Sequence, residues 1–208
     1  MDLASAIDIN NGTMDWTSSQ ENTNISAFID SASLMSAYIK SPGSYKCPSD
    51  TFQSPQNLGP RTRSVSMNGA VNGGSGSGPT FENQIAGRTY FEARKVSDLS
   101  CPGPSNIYAF MDEQADSIDD LQFMLNPGYA VGSEEWRNLP ASYHNGCGSF
   151  SFTDGHSEIH KWMVRGGVFP TVYPVKYVPS TSGAWVGKNL GKNADYEWMD
   201  DRMPYHPY

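Results

Sequence analysis

The acidic stretch at 112–120 is the densest group of possible ligands in the sequence. It carries five carboxylates in nine residues, at Asp112, Glu113, Asp116, Asp119 and Asp120. Ca²⁺ binds about six to eight oxygens from carboxylates, amides and backbone carbonyls, so the stretch could be a calcium loop. It lacks the glycine and the closing glutamate of an EF-hand, and acidic runs are commonly only solvated. A calcium site and a solvated loop therefore stay as alternatives.

The histidines offer a second possible metal site. His156, Glu158 and His160 alternate along the chain, so in a strand they would project from one face. Together with His144 or Asp154 they could ligate a transition metal. The simpler interpretation is the polar, solvent-facing side of a two-faced sheet.

A hydrolase is the third functional hypothesis. His144 would act as general base, oriented by Asp154 or Glu113, with Ser142 or Ser149 as the nucleophile. The chain has no Gly-x-Ser-x-Gly, no Gly-rich phosphate loop and no His-Glu-x-x-His. We therefore expect that the protein is not an enzyme.

Three cysteines, Cys47, Cys101 and Cys147, allow three single-disulfide pairings, each of which leaves one thiol. The sequence contains no Cys-x-x-Cys and no Cys/His group at zinc-ligand spacing. On spacing alone, zinc bound through sulfur is not expected.

The clearest local element is a β-hairpin at 149–162. Two alternating segments flank Asp154 and Gly155, a pair favoured in two-residue hairpin turns because both positions need positive φ. That turn predicts a register in which Phe152 faces Ser157 and Phe150 faces Ile159. Phe150, Phe152 and Ile159 are then expected to be buried. The wider chain predicts a helix at 31–40, strands at 61–69, 96–99 and 107–111, and an extended wrapping tail at 166–208.

Composition predicts one loop-rich domain, 1–208, with much β structure. The chain has 20 Gly and 14 Pro, and only 17% of its residues are charged. Its formal net charge of -8 disfavours binding to a nucleic acid. No apolar run is long enough to span a membrane.

Several motifs occur in order between about 38 and 162. Nine residues separate His144 from Asp154-Gly155, which gives His-x9-Asp-Gly. Further matching stretches lie at 45–50 (Tyr-Lys-Cys-Pro-Ser-Asp), 63–69, 110–118 and 154–162. The pattern resembles the prepilin-type processing-associated His-x9-Asp-Gly domain of type IV pilin-like and type II secretion pseudopilin proteins.

The resemblance implies an α+β pilin-like head, with an antiparallel sheet, a short helix and long loops. It also implies an N-terminal hydrophobic spine helix, which we expect this chain to lack. The expected function is a structural subunit of a type II secretion pseudopilus or type IV pilus-like filament, in the bacterial cell envelope or outside the cell. Expected partners are like subunits, other pilin-type proteins and, through the spine helix, the inner-membrane secretion machinery.

An extracellular glycan- or surface-binding module built on a pilin-like head is the alternative. Its surface would use the aromatic residues Trp16, Trp136, Trp185 and Trp198 with the Tyr-rich tail. Aromatic residues also fill cores and interfaces, so this pattern does not separate the two functions.

The resemblance also bears on metal and cysteines. Calcium occurs in some secretion pseudopilins, which favours Ca²⁺ over zinc as the only expected cofactor. Export implies a compartment where disulfides persist. If strand 107–111 lies beside the hairpin, Cys101 and Cys147 fall near one end of the sheet. The resulting prediction is a Cys101–Cys147 disulfide with Cys47 free.

Overall fold

The structure, a computed structural model, describes residues 24–29, 34–51, 61–71, 83–85, 88–114, 118, 122–126, 135–136, 138–163 and 194–207. Its α-helices are α1 (Ser26–Ile29) and α2 (Ala194–Asp200). Its strands are β1 (Val65–Asn68), β2 (Asn83–Ile85), β3 (Arg88–Tyr90), β4 (Tyr108–Asp112), β5 (Gln122–Phe123), β6 (Leu125–Asn126), β7 (Glu135–Trp136), β8 (Cys147–Phe152), β9 (Ser157–Lys161) and β10 (Tyr205–Pro207). No helix in these ranges is long and apolar enough to cross a membrane.

A five-stranded sheet in the order β5-β1-β4-β8-β9 forms the centre of the described structure. β1, β4, β8 and β9 pair antiparallel with their neighbours, whereas β5 lies parallel to β1. Smaller sheets join β10-β3-β2 and β6-β7. The α+β class is therefore confirmed, although the main sheet is mixed rather than purely antiparallel.

The predicted β8–β9 hairpin is present, but its turn has three residues. The N–H of Gly155 donates to Phe152 O at 3.0 Å, and the N–H of Phe152 donates to His156 O at 2.9 Å. Gly155 has φ 95°, as the left-handed residue that closes a three-residue hairpin turn requires. The extra turn residue moves the strand pairing by one position.

That shift corrects the predicted register. Phe150 faces Glu158 instead of Ile159, and Ile159 faces Ser149. Phe150 and Phe152 are buried as predicted, whereas the prediction of a buried Ile159 is wrong because its side chain is 65% exposed. A one-residue slip exchanges the faces of a whole strand, so the turn decided this outcome.

The hydrophobic core lies on one side of the main sheet. Phe150 makes edge-to-face contacts with Tyr108, Trp162 and Trp198, at centroid distances of 5.9, 5.9 and 5.0 Å. Helix α2 supplies Tyr196 and Met199 to the same cluster. The other side, the open face, carries Val65, Met67, Phe110, Ser149, Ser151 and Ile159.

Other predicted elements had mixed outcomes. The strands predicted at 61–69 and 107–111 are confirmed by β1 and β4. In the helix predicted at 31–40, the described residues are helical only at Leu34–Ala37, which form a 3-10 turn. The strand predicted at 96–99 is wrong, because Asp98 accepts bonds from the N–H groups of Arg94 and Lys95 and holds a 3-10 helix at Val96–Ser100. The predicted extended tail contains α2, while 164–193 lie outside the described residues.

Candidate metal centre

The loop at 45–50 holds Cys47 against the edge of the sheet. The N–H of Cys47 donates to Ser64 Oγ at 2.7 Å, and the N–H of Asp50 donates to Cys47 O at 3.0 Å. Asp50 forms a buried ion pair with Arg61, which lies just before β1. Cys47 is consequently only 7% exposed.

Asp112 ends β4 on the open face, opposite Val65 of β1. Its backbone oxygen accepts a bond from the N–H of Ala141 at 2.9 Å. Burial raises the pKa of the Asp112 carboxyl, and hydrogen bonds from Ser149 together with the nearby His144 act against that rise. The carboxylate is 6% exposed, so it depends on these partners when charged.

His144 lies in a tight turn before β8. The backbones of His144 and Cys147 bond to each other at 3.3 and 3.2 Å, and the N–H of Gly146 donates to Ser142 O at 3.2 Å. Asn145 takes φ 55°, a conformation that asparagine tolerates better than most residues. The turn places the His144 ring, 32% exposed, over Asp112.

Cys47, Asp112 and His144 therefore converge. Cys47 Sγ lies 3.4 Å from His144 Nε2, and Asp112 Oδ2 lies 3.4 Å from the same nitrogen. One donor atom from each residue lies within 4.8 Å of the other two. A thiol, a carboxylate and an imidazole at these separations form a group that could hold a metal ion.

The electrostatics of Cys47 argue against a free, activated nucleophile. Burial raises the pKa of its thiol, and the nearby Asp112 raises it further. Hydrogen bonds from Ser49 act in the opposite direction. Without a cation the group at neutral pH holds a thiol, and a bound metal would displace its proton.

The predicted calcium ligands do not all face one point. Glu113 follows Asp112 on the chain and points to the other face of the sheet, where it is fully buried. Its carboxylate accepts bonds from Ser66 Oγ and from Asn138 Nδ2, the latter at 2.8 Å. The other predicted ligands, Asp116, Asp119 and Asp120, lie outside the described residues.

The two ends of the His-x9-Asp-Gly motif form separate contacts. His144 and Asp154 flank β8 at its opposite ends, since β8 spans Cys147–Phe152. Asp154 Oδ1 lies 2.6 Å from His156 Nδ1, and Gly155 closes the hairpin turn. The partners of His144 are Cys47 and Asp112. The hydrolase hypothesis expected Asp154 or Glu113 to orient this histidine, and in the structure neither carboxylate does so.

Of the other residues that the sequence singled out, the described His160, Trp136 and Trp198 have packing roles. His160 stacks on Trp198 with ring centroids 3.7 Å apart, and Arg202 covers the same indole at 3.9 Å. Trp136 is fully buried in the core. Trp16 and Trp185 lie outside the described residues, so only two of the four tryptophans of the predicted aromatic surface can be placed.

The predicted Cys101–Cys147 disulfide is absent from the structure, where all three cysteines are free. The expected neighbourhood of β4 and the hairpin is present, but β4 runs antiparallel to β8 and pairs Tyr108 with Phe152. Cys101 precedes Tyr108 and so lies beyond the Phe152 end of β8, while Cys147 begins β8 at the other end. The antiparallel direction thus separates the two sulfurs.

Sequence reasoning missed the group because its members are distant along the chain. Cys47 and His144 are 97 positions apart. The potential ligands three residues after them, Asp50 and Cys147, are not the ones that join the group. A signal was present, since Cys47, Asp112 and His144 each fall in one of the ordered motif stretches. Comparisons with known proteins add nothing to this description: no family model, no curated protein and no solved structure matches the chain.

Proposed function

We propose that the protein is a structural subunit of a type II secretion pseudopilus or a type IV pilus-like filament. The observation that carries this proposal is an apolar groove on the open face of the main sheet. The groove has a volume of about 340 Å³, and its apolar lining includes Met35, Ile39, Val65, Met67 and Phe110.

The groove lies on the side of the sheet that the core does not use. Met67 and Phe110 face each other across β1 and β4 there, and both side chains are half-buried. Leaving such a surface in water is unfavourable by roughly 25 cal/mol per Å² of apolar area. An apolar helix seated lengthwise on the strands would cover it, and the pilin resemblance implies a spine helix of that kind.

Filament growth also requires contacts between subunits that do not close into a ring. The edge strand β9 carries Glu158 and Lys161, both exposed, and charged residues on an edge strand oppose uncontrolled edge-to-edge pairing. This arrangement favours assembly through helices and head surfaces over sheet extension. Of the tryptophans that the glycan-binding alternative would use, the two that the structure describes offer no open platform, because Trp136 is buried and Trp198 is stacked on His160.

The test is assembly of the gene product expressed from its complete reading frame together with a pilin-type assembly system. Electron microscopy of sheared surface fractions is expected to show helical particles that contain the chain. Met67→Glu and Phe110→Glu place a charge in the groove and should abolish the particles. Val96→Glu, which changes an 82% exposed side chain outside the sheet, is the matched control and should assemble normally.

Circular dichroism of the purified heads establishes that the groove variants remain folded. The proposal would be refuted if the unmodified protein formed no particles under conditions where a pilin standard does. Particles of normal length and number from both groove variants would equally contradict it. Saturable polysaccharide binding by the head, without particles, would favour the binding module.

A further inference from the structure

We propose that Cys47, Asp112 and His144 bind a single Zn²⁺ ion, with the fourth coordination position open to water. The proposal does not depend on the filament function, because it rests only on the geometry and chemistry of these three side chains. It is distinct from the calcium loop expected at 112–120, of which Asp116, Asp119 and Asp120 lie outside the described residues.

The ligand types select the metal. A thiolate and an imidazole are soft and borderline ligands that suit Zn²⁺, whereas Ca²⁺ requires a shell of oxygens. Three protein ligands of the Cys, His and carboxylate types with one open position are typical of zinc sites that keep a bound water. Among the described residues, Cys47, Asp112 and His144 form the one group of at least three potential ligands whose donor atoms lie close together.

The distances fit a tetrahedral ion. With Zn–S of about 2.3 Å and Zn–N or Zn–O of about 2.0–2.1 Å, the edges of a tetrahedron are about 3.3–3.6 Å long. The Cys47 Sγ–His144 Nε2 and Asp112 Oδ2–His144 Nε2 separations are both 3.4 Å. Two edges therefore already have the required length, and the third pair of atoms lies within 4.8 Å.

The same geometry argues against a Cys-His-Asp catalytic triad. In a triad the carboxylate bonds one ring nitrogen of the histidine and the nucleophile approaches the other. Here both Cys47 Sγ and Asp112 Oδ2 approach Nε2 of His144. Three donor atoms that face a common point describe a coordination site better than a proton relay.

The surrounding structure holds each ligand in place before a metal arrives. Ser64 fixes the backbone of Cys47, Ser149 bonds Asp112, and the 144–147 turn orients His144. Asp112 and Ser149 also line the open-face groove, while His144 is partly exposed, so an ion can reach the site from outside. A bound Zn²⁺ would join the 45–50 loop, the end of β4 and the turn before β8.

The first experiment measures metal content and coordination in the purified chain. After removal of metals with a chelator and dialysis against Zn²⁺, elemental analysis should give one Zn²⁺ per chain, retained in a large excess of Ca²⁺. Co²⁺ in place of Zn²⁺ should show a thiolate-to-metal charge-transfer band and the visible absorption of four-coordinate cobalt.

Variants assign the ligands. Cys47→Ser and His144→Gln should each weaken Zn²⁺ binding at least tenfold and abolish the charge-transfer band or change it. Cys101→Ser removes a half-buried thiol that lies outside the 45–50 loop and the 144–147 turn, and His156→Gln removes the histidine of the exposed Asp154 pair. Both are matched controls and should bind Zn²⁺ like the unmodified protein.

A measurement on the unmodified chain decides the question even if a ligand variant fails to fold. Zn²⁺ should protect Cys47 from alkylation in peptide mapping by mass spectrometry, and a chelator should remove that protection, with Cys101 unaffected. Absence of stoichiometric Zn²⁺, displacement by Ca²⁺, Co²⁺ binding without a thiolate band, or equal loss of binding in the controls would each overturn the proposal.

Discussion

The buried Asp50–Arg61 ion pair should be one of the strongest single determinants of stability in the described structure. The two side chains are 0% and 1% exposed. Burial lowers the pKa of Arg61 to about 10, so the guanidinium is still charged at neutral pH. Asp50→Leu or Arg61→Met would then remove the opposite charge from the one that stays buried, which costs about 3–5 kcal/mol.

That loss is a large part of the roughly 5–15 kcal/mol by which a typical domain is stable. At about 2–4 °C per kcal/mol for a chain of this size, each single variant should lower the Tm by about 6–20 °C. The double variant Asp50→Leu/Arg61→Met removes both charges and leaves none unpaired. It should therefore lose much less stability than the sum of the two single variants.

Urea unfolding followed by tryptophan fluorescence gives the free energy of unfolding for all four proteins of this double-mutant cycle. We expect a coupling energy of at least about 2 kcal/mol between the two substitutions. If the losses were additive, or if either single variant lost less than about 1 kcal/mol, the ion pair would not have the role assigned to it. Because the Asp50 side chain ties the 45–50 loop to Arg61, the single variants should also speed alkylation of the Cys47 thiol.

Three further predictions concern the sheet. Gly148→Ala should lower the free energy of unfolding by about 1–3 kcal/mol, because the new Cβ would lie 3.0 Å from both Ala141 O and Trp162 Cζ2. An unchanged midpoint in urea unfolding would contradict this packing. Gly155→Val should lower the free energy of unfolding by about 1–3 kcal/mol through backbone strain at φ 95°, since no atom lies within 4 Å of a Cβ added there. An unaltered Tm would argue against the three-residue turn. Burial raises the pKa of Tyr108 above the value that tyrosine has in the unfolded chain. The buried, protonated phenol therefore contributes its full stability below about pH 10, and this contribution falls at higher pH because the unfolded chain ionises first. Tyr108→Phe should make stability between pH 9 and 11 less dependent on pH, and an identical slope would refute the assignment.

Local chemistry in the sequence was sufficient for the elements that depend on neighbouring residues. The hairpin at Asp154-Gly155 was predicted because few residue pairs accept the turn conformation, and β4 because an apolar run precedes an acidic segment. The register was not predictable to one residue. Whether the turn has two or three residues depends on whether Thr153 pairs within the hairpin. In the structure the N–H of Thr153 donates instead to Ile107 O, just before β4, at 2.9 Å.

The sequence by itself determined the hairpin at Asp154-Gly155 and the order of the motif stretches along the chain. Only the tertiary structure decided which of those stretches meet. Asp112 and Glu113 are adjacent in the chain, yet a strand sends them to opposite faces, one to His144 and the other to Ser66 and Asn138. The antiparallel direction of β4 and β8 separates Cys101 from Cys147, and folding of the 45–50 loop places Cys47 beside His144 instead. Such long-range neighbours depend on strand direction and loop packing, which short-range spacing does not encode.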